Sequence, residues 1–175
     1  VKAVESFPGL HLALQLKDEL HAFNCPLANF AYPLWGIDPQ LSVPLNPNVF
    51  NQTVKILIYF ENLVDSVTDL PSSLVNLCQT ICMDQANVYL TDQGKVLQIT
   101  NSQTSKFKSI DHLRRQLNLK PEEIAVFGDD WNDLEMLTGF PNGVVMGNAD
   151  RELRCQIRYQ TQSNDEDGIA YALHT

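Results

Sequence analysis

No stretch of this chain is apolar for the length that a membrane crossing needs, and no signal peptide is visible in it. The expectation is a cytoplasmic protein with no membrane partner. Basic residues are scarce: 12 Lys and Arg stand against 21 Asp and Glu, a formal charge of -9. Affinity for a phosphate backbone comes from clustered cations, so no nucleic-acid partner is expected, and the field suits a metal site better. Cysteines number only four, Cys25, Cys78, Cys82 and Cys155, with no paired Cys-x-x-Cys. No zinc spacing of that kind is present, and the four are read as buried free thiols in a reducing cytosol in preference to a redox role. Cys78 and Cys82 share helical spacing with Leu74, Leu77 and Ile81, the apolar stripe of an amphipathic helix. His11, His21, His112 and His174 are scattered without a partner at metal spacing, and no chemistry is assigned to them. There is no internal repeat and no low-complexity tract. What remains, 44% hydrophobic and 19% charged over 175 residues, describes an α/β protein of one or two domains.

The informative run is Ile124-Ala125-Val126-Phe127-Gly128-Asp129-Asp130-Trp131-Asn132-Asp133, with Lys106 lying 22 positions before Gly128. Apolar residues closed by glycine predict a strand buried on both faces. Its carboxyl end, where α/β sheets bind ligands, carries the carboxylates. Asp129, Asp130 and Asp133 within five positions repel one another unless a cation or a lysine neutralises them. A hard metal together with Lys106 is an arrangement for handling phosphate. The bland alternative is a capped helix with a surface salt bridge. Lys108 competes with Lys106, and spacing favours Lys106.

The stretch from Ser105 to Leu137, SKFKSIDHLRRQLNLKPEEIAVFGDDWNDLEML, resembles the third and fourth motifs of the haloacid dehalogenase superfamily in the spacing of its Cof-type sugar-phosphate phosphatases. The tail is similar too, from Gly143-Val144-Val145-Met146-Gly147-Asn148-Ala149 to Ser163-Asn164-Asp165-Glu166-Asp167-Gly168-Ile169-Ala170. Residues 54 to 100 resemble the second half of that group's cap domain. The resemblance implies α/β fold class: a partial Rossmann-like core (haloacid dehalogenase-type) plus an α/β cap, with residues 1–103 as cap and 104–175 as the C-terminal half of the core. Phe107 stands where the family usually has Gly.

The same resemblance implies a Mg²⁺-dependent phosphoric monoester hydrolase acting on small phosphorylated metabolites such as sugar phosphates. Asp129, leaving the strand first, is the expected metal ligand, since Mg²⁺ takes one or two carboxylates with phosphate and water. Lys106 and Asp133 are the catalytic candidates. Lys106 neutralises charge on the transferring phosphoryl oxygens, and Asp130 and Asp133 orient water or the lysine. Lys106 and Asn132 are the expected substrate contacts, Asn132 donating from a helix start. Trp131, Phe107 and the Pro-rich loop are candidates for lining the substrate site. Gly-Asp-x-x-Asn-Asp also occurs in P-type ion pumps, which need transmembrane helices that this chain does not show.

The superfamily reaction needs an Asp-x-Asp after an apolar strand, the first Asp as nucleophile and the second as acid and base. The only Asp-x-Asp here is Asp165-Glu166-Asp167, behind Gln160-Thr161-Gln162-Ser163-Asn164, and it reads as a polar turn before the last helix. The expectation is a C-terminal fragment that is inactive alone, with weak Mg²⁺ binding and self-association through an exposed sheet edge. A different class of reading is a non-catalytic remnant that binds a ligand or partner.

The element pattern is a hairpin over 10–23, mostly loop over 24–53 with five prolines, and a strand over 54–59. A helix follows over 71–82, then strands over 87–90 and 96–100. The expected core elements are a helix over 108–117 with its stripe at Ile110, Leu113 and Leu117, a strand over 124–127 and a helix starting at 132. A strand over 144–146, an extended segment over 157–161 and a helix from Gly168 complete it.

Overall fold

The computed structural model describes residues 2–25, 37–60 and 69–174. The chain divides into two compact units, Val1–Ser102 and Gln103–Thr175.

In the first unit a short helix α1 (Lys2–Glu5) leads into β1 (Leu10–Leu16) and β2 (His21–Phe23), the expected hairpin. Its turn places Asp18 and Glu19 at positive φ, 61° and 64°, a conformation that the short side chain of Asp tolerates better than most. The Pro-rich segment holds, beyond the predicted loop, a three-residue strand β3 (Ser42–Pro44) between two 3₁₀ turns. Asp38 and Asn46 cap these turns by accepting the N–H of Gln40 and Asn48. Pro26 and Pro33 lie outside the described residues. β4 (Thr53–Phe60), helix α2 (Ser72–Cys82), β5 (Ala86–Thr91) and β6 (Val96–Asn101) follow. The strands form one sheet in the order β3-β2-β1-β4-β6-β5, antiparallel except for β2 with β3.

Alternate residues of β1 divide between the faces of this sheet. Leu10, Leu12, Leu14 and Leu16 join Ile58, Leu97, Leu74 and Cys78, so α2 covers that face, while Ala13 joins Phe23, Ile37, Tyr59 and Val96 on the other. Each fully buried side chain of this kind contributes about 1.5–3 kcal/mol. The expected stripe of α2 is too wide. Leu74 and Cys78 are buried with Val75 and Cys82 beside them, whereas Leu77 is 38% and Ile81 64% exposed. Residues 74, 78 and 82 share one line on the helix, and 77 and 81 fall on its flank. The thiols likewise differ from the expectation: all four are free, but only Cys78 is buried and Cys155 is exposed.

The second unit begins with α3 (Lys106–Gln116), two residues earlier than predicted because Ser105 Oγ accepts the Lys108 N–H at 3.2 Å and caps it. Asn118, at φ 55°, ends it as expected. Its buried stripe is not the predicted one. Phe107 and Ile110 face the core, and Leu113 and Leu117 are more than half exposed. β7 (Ala125–Gly128), α4 (Leu134–Gly139), β8 (Asn142–Val145), α5 (Arg151–Arg154), β9 (Tyr159–Gln160) and α6 (Gly168–His174) follow. The three strands are parallel in the order β7-β8-β9, the Rossmann-like arrangement. Burial of β7 on both faces is corrected: Val126 and Gly128 are buried, Ala125 is exposed, and Ile124 closes the preceding 3₁₀ turn. Leu137, Val145, Leu153 and Val126 form the core on the covered face. The helix expected from Asn132 starts instead with a 3₁₀ turn, Trp131–Asp133. Asp165-Glu166 lie in the polar turn Asn164–Glu166, closed by Ser163 and Glu166 in a capping box.

Candidate active site

The site is built where β7 ends. Gly128 leaves room for a side chain from the next turn: a Cβ on it would lie 2.5 Å from the Cβ of Asp133. Asp133 therefore folds back over the strand end, only 3% exposed. Its Oδ2 accepts the backbone N–H of Asp129 at 3.1 Å and of Asp130 at 3.3 Å, fixing the acidic turn. Its Oδ1 accepts from Lys106 Nζ at 2.5 Å. Lys106 stands at the first position of α3, and its ammonium also donates to Asn132 Oδ1 at 3.3 Å. The lysine side chain is 51% exposed, so the cation is held from the protein side and open to a ligand from the other.

The three crowded carboxylates are thus parted by different partners. Asp133 faces the lysine. Asp130 accepts the Trp131 N–H at 2.7 Å and caps the 3₁₀ turn. Asp129 is exposed, and its Oδ2 accepts from Asn148 Nδ2 at 2.8 Å. Lys108, the competitor, is exposed and contributes its backbone N–H to the Ser105 cap.

Asn148 had no assigned role in the sequence. It follows β8, and its Oδ1 accepts the Asn164 N–H at 3.1 Å, so one amide ties Asp129 to the 163–166 turn. The Gly147-Asn148 pair within the matching tail was the available signal, and Gly147 itself adjoins that turn: a Cβ there would meet Ser163 N at 2.8 Å.

Neither aromatic candidate for lining the site is a free surface. The Phe107 ring lies against Gly139, where a Cβ would meet it at 2.4 Å, and 5.3 Å from the Phe140 ring. Its place is the core, which explains how α3 accepts a large residue after Lys106. Trp131 packs on the same core and donates Nε1–H to Asp150 Oδ2 at 3.0 Å. Asp150 caps α5. The Leu153 N–H, with the Glu152 N–H and Trp131, holds its carboxyl below the usual carboxylate range. This stabilisation is present at neutral pH and is lost as pH falls through the depressed value.

Among the described residues no group of three or more His, Cys, Asp or Glu could enclose a metal. The donor offered at this turn is the exposed Asp129 carboxylate, which fits Mg²⁺ held by a single carboxylate, water and phosphate, and not a closed cage. No helix among the described residues is long and apolar enough to cross a membrane.

A parallel sheet with helices between its strands, and a lysine held by a carboxylate where one strand ends, defines an α/β fold of Rossmann-like type. Residues 45–173 match the haloacid dehalogenase-like hydrolases, and the chain belongs to that family. It is 29% identical over 173 residues to the Bacillus subtilis protein named "Putative phosphatase YxeH", covering 93% of this chain and 62% of that one. It is 36% identical over 76 residues to phosphatase YwpJ of the same organism, covering 43% of this chain and 27% of that one. Among solved structures, the fold matches the subclass IIB sugar phosphatase BT4131 with a TM-score of 0.76 at 19% identity, over 99% of this chain and 62% of that one. The chain spans less than two thirds of the length of each of these relatives.

Proposed function

We propose that this chain carries the phosphate-holding half of a Mg²⁺-dependent phosphatase of Cof type, acting on small phosphorylated metabolites such as sugar phosphates. The observation that carries the reading is the Lys106 ammonium fixed between Asp133 Oδ1 and Asn132 Oδ1 at the carboxyl end of a parallel strand. A buried carboxylate that orients a half-exposed lysine leaves its charge available to phosphoryl oxygens. Asn132 adds a side-chain amide donor beside it. Asp129 would hold Mg²⁺, which when bound neutralises charge on the same phosphoryl group. Asp133 serves as the positioning residue for Lys106 and for the N–H groups of the turn. The resemblance to subclass IIB sugar phosphatases supports the substrate class, and four free cysteines support a reducing, cytoplasmic location.

The second reading, a non-catalytic remnant, is favoured by one observation: no Asp-x-Asp in the sequence ends an apolar strand. Both readings expect no turnover from this chain alone, and they differ in whether it belongs to a catalytically complete phosphatase.

Titration of the chain with inorganic phosphate and Mg²⁺, followed by amide NMR, tests the site. Shifts are expected at residues 129 to 133, with a Kd on the order of 1 mM, and Lys106→Met should abolish them. A spectrum unmoved at these amides would refute the assignment.

We also propose self-association through β7, which pairs only with β8 among the described residues. An unpaired parallel edge offers N–H and C=O groups to another chain. Light scattering is expected to give a mass that rises with concentration; a constant monomer mass would contradict it.

A further inference from the structure

His11 and Cys25 meet in the first unit, and their chemistry does not rest on the phosphate site of the second. β1 and β2 pair with Ala13 opposite Phe23 and Gln15 opposite His21, and the same register carried two residues further sets His11 opposite Cys25. The hairpin stays closed at that end, since Asn24 N–H donates to Leu12 O at 3.1 Å and Leu12 N–H to Asn24 Oδ1 at 2.8 Å. On its other flank His11 is the β4 partner of Tyr59, with ring centroids 5.9 Å apart. Tyr59 is 2% exposed and supplies a fixed wall. Cross-strand neighbours on one face are the pairs whose side chains touch. Here they do, with Cys25 Sγ 2.7 Å from His11 Nδ1.

We propose that Cys25 and His11 form a nucleophile–base dyad and that Cys25 is a site of oxidation by hydroperoxides. A thiol becomes nucleophilic when an adjacent base takes its proton. The thiol proton passes to Nδ1, and Sγ attacks one peroxide oxygen. An S–O bond forms and the O–O bond breaks. The departing hydroxide takes the proton from the imidazole and leaves as water. Sulfur is oxidised by two electrons to the sulfenic acid, and the peroxide is reduced. The other thiols lack this arrangement. Burial pushes Cys78 and Cys82 up, away from the reactive thiolate, and Cys155 is exposed.

Accessibility alone would make exposed Cys155 react faster than half-buried Cys25, so the order of reactivity decides the matter. An ordinary thiol is about 3% ionised at pH 7, and full ionisation offset by lower nucleophilicity gives a gain of about 10-fold. The unsubstituted chain is treated with hydrogen peroxide in the presence of dimedone, and each cysteine peptide is quantified by mass spectrometry over time. Cys25 is expected to label about 10-fold faster than Cys155. His11→Asn keeps a polar side chain at the hairpin end but removes the base. It should slow Cys25 by about the same factor and leave Cys155 unchanged. Labelling of Cys25 no faster than Cys155 in the unsubstituted chain would overturn the proposal, and so would an unchanged Cys25 rate in the His11→Asn variant. The first comparison needs no variant to fold.

Discussion

Replacing Asp133 by alanine is expected to destabilise the second unit by about 2–4 kcal/mol, the largest effect of any single polar substitution in the site. The carboxylate is 3% exposed and makes three contacts: two backbone N–H groups of the acidic turn and the Lys106 ammonium. Alanine leaves the N–H groups of Asp129 and Asp130 without their acceptor in a partly buried turn, which accounts for most of the cost. Lys106, with half its side chain in water, regains hydration and adds little. Asp133→Asn preserves the shape and one acceptor oxygen, so it should cost about half as much. Urea unfolding followed by circular dichroism measures both. An alanine variant within about 0.5 kcal/mol of the parent, the range of ordinary surface substitutions, would show that Asp133 does not organise the turn.

Gly128→Ala is expected to damage the same place from the other side. Its Cβ would lie 2.5 Å from Asp133 Cβ and 2.8 Å from Oδ2, so one of the two must move. The backbone at Gly128 is ordinary extended strand, so space and not conformation decides the outcome. Overpacking of this kind costs about 1–3 kcal/mol. Because Asp133 carries Lys106, the shift should also remove the phosphate response at residues 129 to 133. A variant that keeps both the unfolding midpoint and that response would contradict the packing argument.

The site was legible in the sequence to the extent that it depends on spacing along one strand and one helix. Glycine followed by clustered acids marks a strand end, and Lys106 and Asp133 are brought together as that pattern implied. Contacts between distant segments were not legible. Asn148 reaches Asp129 only because β8 lies beside β7, and the Gly147-Asn148 pair in the tail marks a turn without naming that partner. Helical faces were misjudged for a related reason. Apolar residues at 110, 113 and 117 satisfy the helical period, yet Phe107 wins the core because Gly139 leaves a space for its ring. Periodicity names candidate faces, and the partner's shape selects among them. The Cys25–His11 contact was invisible for the same cause, since it rests on hairpin register and not on proximity in the chain.

We propose that this chain positions a phosphoryl group with Lys106, Asn132 and Asp129 but supplies no attacking carboxylate. The most direct measurement is hydrolysis of a generic phosphate monoester by the purified chain with Mg²⁺. The expected result is release of phosphate at the uncatalysed background, because a lysine and a metal without a nucleophile hold the ester but do not cleave it. Turnover well above background that disappears in Asp129→Ala would contradict the account.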